Sequence, residues 1–309
     1  MVTIGQYLRG VRRLTVAWMK GDKDATMRER RLMAFRLLEG QAEQITFSRA
    51  GIKWTVDVEG GVVPKKLFIR GNAFEPLRKG LTDWLKANGH ITATRRTIID
   101  IGANIGTPSV QLARETGLDI LAIEPVPANF NLLQKNIAQN GLDQQVRCVQ
   151  AAVSMRPGTL KMAVPKERAT CEVIEEGQQP GFGKLTPDIP IIEVPSNRLE
   201  TILSDSNLPP DRVAVVWCDA QGLEREIIES APALWKFGVP LYLELWPKGI
   251  NAHGGTDAFL TTINAHFKSF VMISEMMKSG GEHAKPRPIS ELRAIVDAIG
   301  GSHDDALLL

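Results

Sequence analysis

Four acids carry the most chemistry in this 309-residue chain: Asp100, Glu124, Asp219 and Glu244. Each falls at or near the end of an apolar run, the place where a buried strand delivers a side chain to a sheet edge. Asp100 opens the spacing Asp-x-Gly-x-Asn-x-Gly, running through Gly102, Ala103 and Asn104 to Gly106. Glycines here can take positive φ and let backbone approach a ligand. Pro108 suits the first turn of a following helix, whose free N–H groups and partial positive charge would face an anionic group. Glu124, with Pro125 behind it, is placed to accept both hydroxyls of a ribose, each such bond contributing about 1.5–3 kcal/mol. Asp219 and Glu244 end two later apolar runs and could flank a substrate as base or orienting group. An ordinary turn, a solvated acid and a structural acid pair are the plain alternatives for each residue taken singly. Four such acids on one predicted edge favour a site.

The secondary candidates are weaker. Ala151 and Ala152 are small enough for a flat base to lie against backbone, and strand packing explains them as well. Glu224 opens a helix, where it would also suit the helix dipole. His253 and His283 lie in polar loops; either could be a general base near the site, and a solvated loop histidine is the plainer reading. Met272, Met276 and Met277 read as gap-filling core or lid residues. No ligand cluster demands a metal, though two acids at one edge could hold Mg²⁺. Cys148, Cys171 and Cys218 form no C-x-x-C pair, so neither zinc nor a disulfide framework is indicated, and a reducing cytoplasm fits.

The elements that would position these residues alternate. Strands are expected at Thr97 to Ile101, Asp119 to Ile123 and Gln145 to Ala151, with helices near Thr107 to Thr116 and Ala128 to Asn140. Residues 154–195 break the alternation, with a hairpin at Thr159 to Val164. It resumes with a helix at Arg198 to Leu203, the strand VAVVWCDA, a helix over LEREIIESAPALW and the strand VPLYLELW. The tail reads as a helix at Asp257 to Ala265, a strand at Phe270 to Ile273 and an amphipathic helix at Ile289 to Ile299. This pattern predicts a doubly wound, mostly parallel α/β sheet. Before it, residues 1–40 read as a basic helical arm with an apolar stripe through Ile4, Tyr7, Leu8, Val11, Leu14 and Trp18. Residues 41–95 read as a small α+β extension in which KLFIR is a strand. The core is taken as 96–309.

The balance of charge is +2, with 43% apolar and 23% charged residues, so nucleic acid is not the expected partner. No apolar run is long enough to span a membrane, and Arg9, Arg12 and Arg13 break up any signal-peptide core. The arm has two readings: packing on its own core or a second subunit, and contact with an anionic membrane surface.

IIDIGANIG, AIEPVPANFNLLQKNIAQNG, QAAVS, CDAQGLE and LYLELWP, in that order from about Arg96 to Pro247, resemble the FkbM family of S-adenosylmethionine (SAM)-dependent methyltransferases. GNAFEP, Gly71 to Pro76, is similar to a Gly-x-x-Glu segment that often precedes that domain. The resemblance implies a class I methyltransferase with a Rossmann-like sheet that methylates a hydroxyl, commonly on a sugar or a polyketide-type metabolite. It implies that Asp100, Gly102, Ala103, Asn104 and Gly106 form the SAM loop, that Glu124 and Pro125 lie at the ribose, and that Ala152 lies near adenine. Asp219 falls in an Asp-x-x-Gly-x-Glu motif with Gly222 and Glu224, at the cofactor and as first choice of base, with Glu244 second. Gln221 stands where the family usually has Glu. Two other readings remain at this level: an NAD-dependent oxidoreductase, which would want the absent G-x-G-x-x-G, and a SAM-fold binding protein without activity.

Overall fold

A computed structural model of the protein describes residues 4–71, 75–166, 171–174, 181, 183, 185–278 and 283–309. The chain divides into two units, one of residues 1–73 and 166–169 and one of 74–165 and 170–309.

In the first unit, helices α1 (Ile4–Met19) and α2 (Lys23–Leu38) form a hairpin. Asp22 caps α2 by accepting the Ala25 N–H at 2.8 Å. Strands β1 (Gln44–Arg49) and β2 (Ile52–Asp57) pair antiparallel, and α3 (Val62–Arg70) follows. Here KLFIR is helical, not a strand. Its apolar residues are equally compatible with both periods, and local signals decide: Pro64 lies in the first turn, where its missing N–H costs no helical bond, and Gly71, in the left-handed conformation, ends the helix. Phe68 on that helix meets Phe35 and Phe47 at 5.4 and 5.0 Å between ring centroids.

The second unit begins with α4 (Glu75–Ala87), tied to the next helix by the buried Arg78 side chain, whose Nε and Nη2 donate to Glu115 at 3.1 and 2.6 Å. The βα repeats then run β3 (Thr97–Ile101), α5 (Thr107–Thr116), β4 (Asp119–Ile123), α6 (Pro127–Ala138) and β5 (Val146–Val149). Strands β6 (Ala152–Val153), β7 (Gly158–Ala163), β8 (Glu172–Val173) and β9 (Ile191–Asn197) form a small separate sheet in the order β6-β9-β7-β8. Leu160, Met162, Val173 and Val194 of this sheet share one apolar core with the main sheet's Ile99, Ile123 and Val216. Alternation resumes with α7 (Leu199–Asp205), β10 (Val213–Cys218), α8 (Glu224–Glu229), α9 (Pro232–Lys236) and β11 (Leu241–Leu245). The single helix expected over LEREIIESAPALW is two, because Pro232 pulls Ala231 out of helical geometry (φ −146°, ψ 56°). The tail holds α10 (Pro247–Ala252), α11 (Gly255–His266), β12 (Ser269–Met272), α12 (Ile273–Lys278), β13 (Arg287–Pro288), α13 (Leu292–Ile299) and β14 (Asp304–Leu308). Residues Ile289–Glu291 form a 3₁₀ turn ahead of α13 rather than its first turn.

The main sheet has the order β13-β12-β14-β11-β10-β3-β4-β5. Strands β3, β4, β5, β10 and β11 are mutually parallel, while β14 runs antiparallel between β11 and β12. The expected doubly wound, mostly parallel sheet is present. From β3 the chain winds outward through β4 and β5, then returns to place β10 on the other side of β3. The carboxyl ends of β3 and β10 therefore border the crevice where an open α/β sheet binds its ligand.

Candidate active site

The loop after β3 is fixed by backbone hydrogen bonds. The N–H groups of Gly102 and Ala103 both donate to the Ile123 carbonyl at 3.0 Å, which folds the loop over the end of β4. Gly102 has φ +81°, and a Cβ there would stand 2.0 Å from the Asp219 carbonyl oxygen. Gly106 caps α5 at φ +89° and would press a Cβ onto Leu133 at 2.8 Å. Asn104 holds φ +50° and braces the turn by accepting the Ile105 N–H at 2.8 Å. Among the described residues four non-glycines have positive φ, and two of them, Asn104 and Gln221, lie at this site. Backbone strain of that kind persists where surrounding structure enforces it.

Asp100 and Glu124 lie buried beside the loop. The Ser109 hydroxyl donates to Asp100 Oδ2 at 2.5 Å, and Oδ1 has no donor among the described residues. Burial pushes the Asp100 carboxyl up to about 7, with the nearby Asp219 adding to the rise and Ser109 opposing it. Glu124 is held from both sides. Its Oε2 accepts the Asn104 N–H at 2.8 Å and its Oε1 the Val126 N–H at 2.9 Å. The Asn129 side chain donates to it as well, yet burial still carries its carboxyl to about 7. Glu124 thus ties the glycine loop to the end of β4 besides standing at the position expected for a ribose-binding acid. Ala152, buried on β6, pairs with Ser196 of β9. Ala103 is fully buried and Pro125 partly so.

Across the crevice, Asp219 follows β10, its N–H bonded to the Ile101 carbonyl at 3.0 Å. Its side chain reaches water, yet the protein crowded around the crevice raises its carboxyl, against the opposing Gln221 amide and His303. Gln221, at φ +53°, donates its side-chain amide to Asp219 at 2.6 Å and reaches Glu244 at 3.4 Å. Burial, with the charges of Asp219, Glu224 and Asp305, pushes Glu244 to about 8. Gly222 makes the turn at φ +105°, pressed against the Gly249 carbonyl and His253. Glu224 is buried at the start of α8, accepts the Ala220 N–H at 3.3 Å, and is raised to about 7 by burial.

Several contributors were not expected from sequence. Asp305 lies opposite Glu244 on β14, raised by burial to about 6 and hydrogen-bonded to the Tyr242 hydroxyl. Tyr242 in turn stacks on Trp217 at 4.1 Å. Acids preceding the apolar run ALLL were the available signal for that last strand. Ser109 and Asn129 were visible only as polar residues on helix faces. His283 lies in an exposed turn, and the segment 72–74 within GNAFEP lies outside the described residues. Met272 and Met276 are buried core residues, and Met277 is exposed.

A doubly wound sheet whose switch point carries a glycine loop, a buried acid after β4 and a second set of acids after β10 and on β11 has the form of an α/β enzyme that binds a nucleoside cofactor. More particularly, the chain belongs to the methyltransferase FkbM domain family, whose model matches residues 100–261. The methyltransferase sdnD of Sordaria araneosa is 29% identical over 178 residues, covering 50% of this chain and 68% of that protein. A Haemophilus influenzae protein described as uncharacterized is 32% identical over 81 residues, 26% of this chain and 32% of its own length. Among solved structures, the METTL16 methyltransferase domain aligns with a TM-score of 0.43 at 14% identity, over 93% of this chain and 79% of that chain. P. horikoshii TYW2 in complex with MeSAdo aligns at 0.40 and 13%, over 86% and 70%. Those structural likenesses are distant, and the family assignment rests on the sequence.

SAM is the cofactor this family implies, and the residues present fit it. The glycine cradle leaves no room for side chains, and Asp100 keeps a buried oxygen in want of a donor. The carboxylates around the crevice are raised, by burial and by one another, as expected where positive charge is missing. A sulfonium and an ammonium would supply it.

Proposed function

We propose that the protein transfers the methyl group of SAM to a hydroxyl of a sugar, a glycan or a secondary metabolite, with Asp219 and Glu244 at the acceptor. The observation that carries this reading is the contact of Gly102 with the Asp219 carbonyl. It brings the end of β10, which carries Asp219, directly against the glycine loop, and the Gln221 amide links Asp219 to Glu244.

SAM supplies an electrophilic methyl on a good leaving group, so the protein's own task is alignment and proton removal. Holding donor and acceptor in line can contribute several kcal/mol (roughly 7 or more at best). The acceptor hydroxyl loses its proton to a carboxylate as its oxygen attacks. Asp219 is the first choice for that role, because Gln221 fixes its orientation. Glu244, raised to about 8, is the second, since a carboxyl of high pKa is the stronger base once ionised.

The test is Asp219→Asn, which keeps size and removes charge. With methyl-labelled SAM and a panel of hydroxylated acceptors, turnover is expected to fall about 10²–10⁴-fold, with SAM affinity nearly unchanged. Near-normal kcat would remove Asp219 as base. Loss of SAM binding would make it a cofactor ligand instead. Absence of transfer to any acceptor by the wild-type protein, with SAM bound, would favour a binding protein.

A further inference from the structure

Helix α1 presents three different faces. Ala17 and Gly10 are buried, and a Cβ on Gly10 would meet Met33 of α2 at 3.2 Å, so this side is the hairpin seam. Leu8, Val11, Thr15, Trp18 and Met19 recur at three- and four-residue steps and share the opposite face. That face is open: Leu8 is 60% exposed, Trp18 72% and Met19 71%. Single exposed apolar residues need no explanation, but a stripe along a helix does. The third side is basic. Arg9, Arg13 and Lys20 line up along it, with Arg12 between them and the apolar stripe, and no Asp or Glu precedes Asp22. Between α1 and α2 runs a groove of about 500 Å³ lined by Arg9, Arg12, Arg13, Lys20 and Arg28, with Asp22 and Glu29 the acids in it. Asp22 is already committed to the Ala25 N–H.

We propose that α1 is a docking surface for an anionic lipid membrane. An apolar stripe bearing Trp and Leu beside an arginine flank is the arrangement with which a helix lies in the headgroup plane: the stripe enters the acyl boundary and the cations meet lipid phosphates. Trp18 sits at the end of the stripe, where an indole is well suited to the interface. Charge decides against a second copy of the chain as the occupant. Packing two such stripes together would bring two acid-free arginine flanks side by side, which repel, whereas an anionic surface neutralises them. Docking in this way would bring the protein to acceptors held at a membrane.

The full chain should co-sediment with phosphatidylcholine vesicles containing phosphatidylglycerol at low salt. It should release at high salt and ignore pure phosphatidylcholine. Trp18→Ser combined with Leu8→Ser changes only exposed side chains and should leave the unfolding midpoint unchanged while abolishing sedimentation. Arg9→Gln with Arg13→Gln should weaken partitioning about fivefold per charge removed. Tryptophan emission should shift to the blue on vesicle addition, and that shift should be missing in Trp18→Phe. A full chain left in the supernatant with anionic vesicles at low salt overturns the proposal. So does equal binding by the Trp18/Leu8 variant, or equal binding to neutral vesicles. Light scattering that shows a dimer dispersed by the same variant, without vesicle binding, would assign the stripe to a second copy instead.

Discussion

The two halves of the sheet's carboxyl edge handle negative charge in opposite ways. On the β3–β4 side, Asp100 and Glu124 are buried but tethered: Ser109, Asn129 and the N–H groups of Asn104 and Val126 all donate to them. Here carboxylates act as scaffolding that fixes a backbone loop. On the β10–β11–β14 side, Asp219, Glu244 and Asp305 face one another. They share the Gln221 amide, the Tyr242 hydroxyl and the charge of His303, with no Lys or Arg acting on them among the described residues. The first half is tethered, with Asp100 Oδ1 alone left without a donor among the described residues. The second holds charge that a proton or a cationic ligand would relieve. A donor site needs fixed geometry, and an acceptor site needs a group able to take a proton, so the contrast matches the division of labour a methyl transfer requires.

The largest effect should come from breaking the seam between the halves. Gly102→Ala forces a Cβ into the Asp219 carbonyl and a non-glycine into φ +81°. It should destabilise the protein by more than about 2 kcal/mol, lowering the thermal midpoint by about 5 °C or more. It should also abolish SAM binding. Gly89→Ala, at a positive-φ turn with no neighbour to strike, is the control and should cost far less.

A second effect, on pH, is one that the two halves share. Asp100, Glu124, Glu224 and Glu244 lie near 7–8 in the folded protein, against about 4 when unfolded. Between those values the folded state binds more protons than the unfolded one, so stability falls as pH rises. Denaturant midpoints of the ligand-free protein should therefore drop from pH 6 to pH 8. The full contribution of these groups is present below about pH 4 and lost above about pH 8. SAM, which carries a net positive charge, should narrow the drop. A midpoint that rises over that interval would contradict the raised carboxyls. Turnover should move the other way, increasing with pH as the base ionises.

The smallest effect should come from Gln221→Glu. Replacing the donor with a third carboxylate removes the bond to Asp219 and adds a like charge beside Glu244. The basic shift of the pH–rate profile should be about one unit or less, with SAM affinity little changed. An unshifted profile would mean that neither acid is the base.

How legible was this in sequence? The parallel core was, because its signals are local: apolar runs of strand length, Gly106 and Gly117 bracketing α5, and glycines at turns that do take positive φ. Asp100, Glu124, Asp219 and Glu244 were found as strand-end acids, and the sheet brings them to one edge. KLFIR was misread because its periodicity fits both helix and strand. The run across Pro232 overlooked the effect of proline on the preceding residue. Strand β14 was missed for a different reason. Its place between β11 and β12 is set by pairings remote in sequence, and Asp305 was missed with it. Gln221 read as a departure from the family pattern, while its role as donor to two acids depends on geometry alone.

The most direct measurement is calorimetric titration of SAM, S-adenosylhomocysteine and NAD into the full chain and into Glu124→Ala. One site is expected for each of the first two ligands and none for NAD. Glu124→Ala should weaken both by similar factors of about tenfold or more, since the ribose is common to them and the loop loses its tether. Saturable NAD binding without SAM binding, or unchanged affinity in a folded Glu124→Ala, would contradict the account.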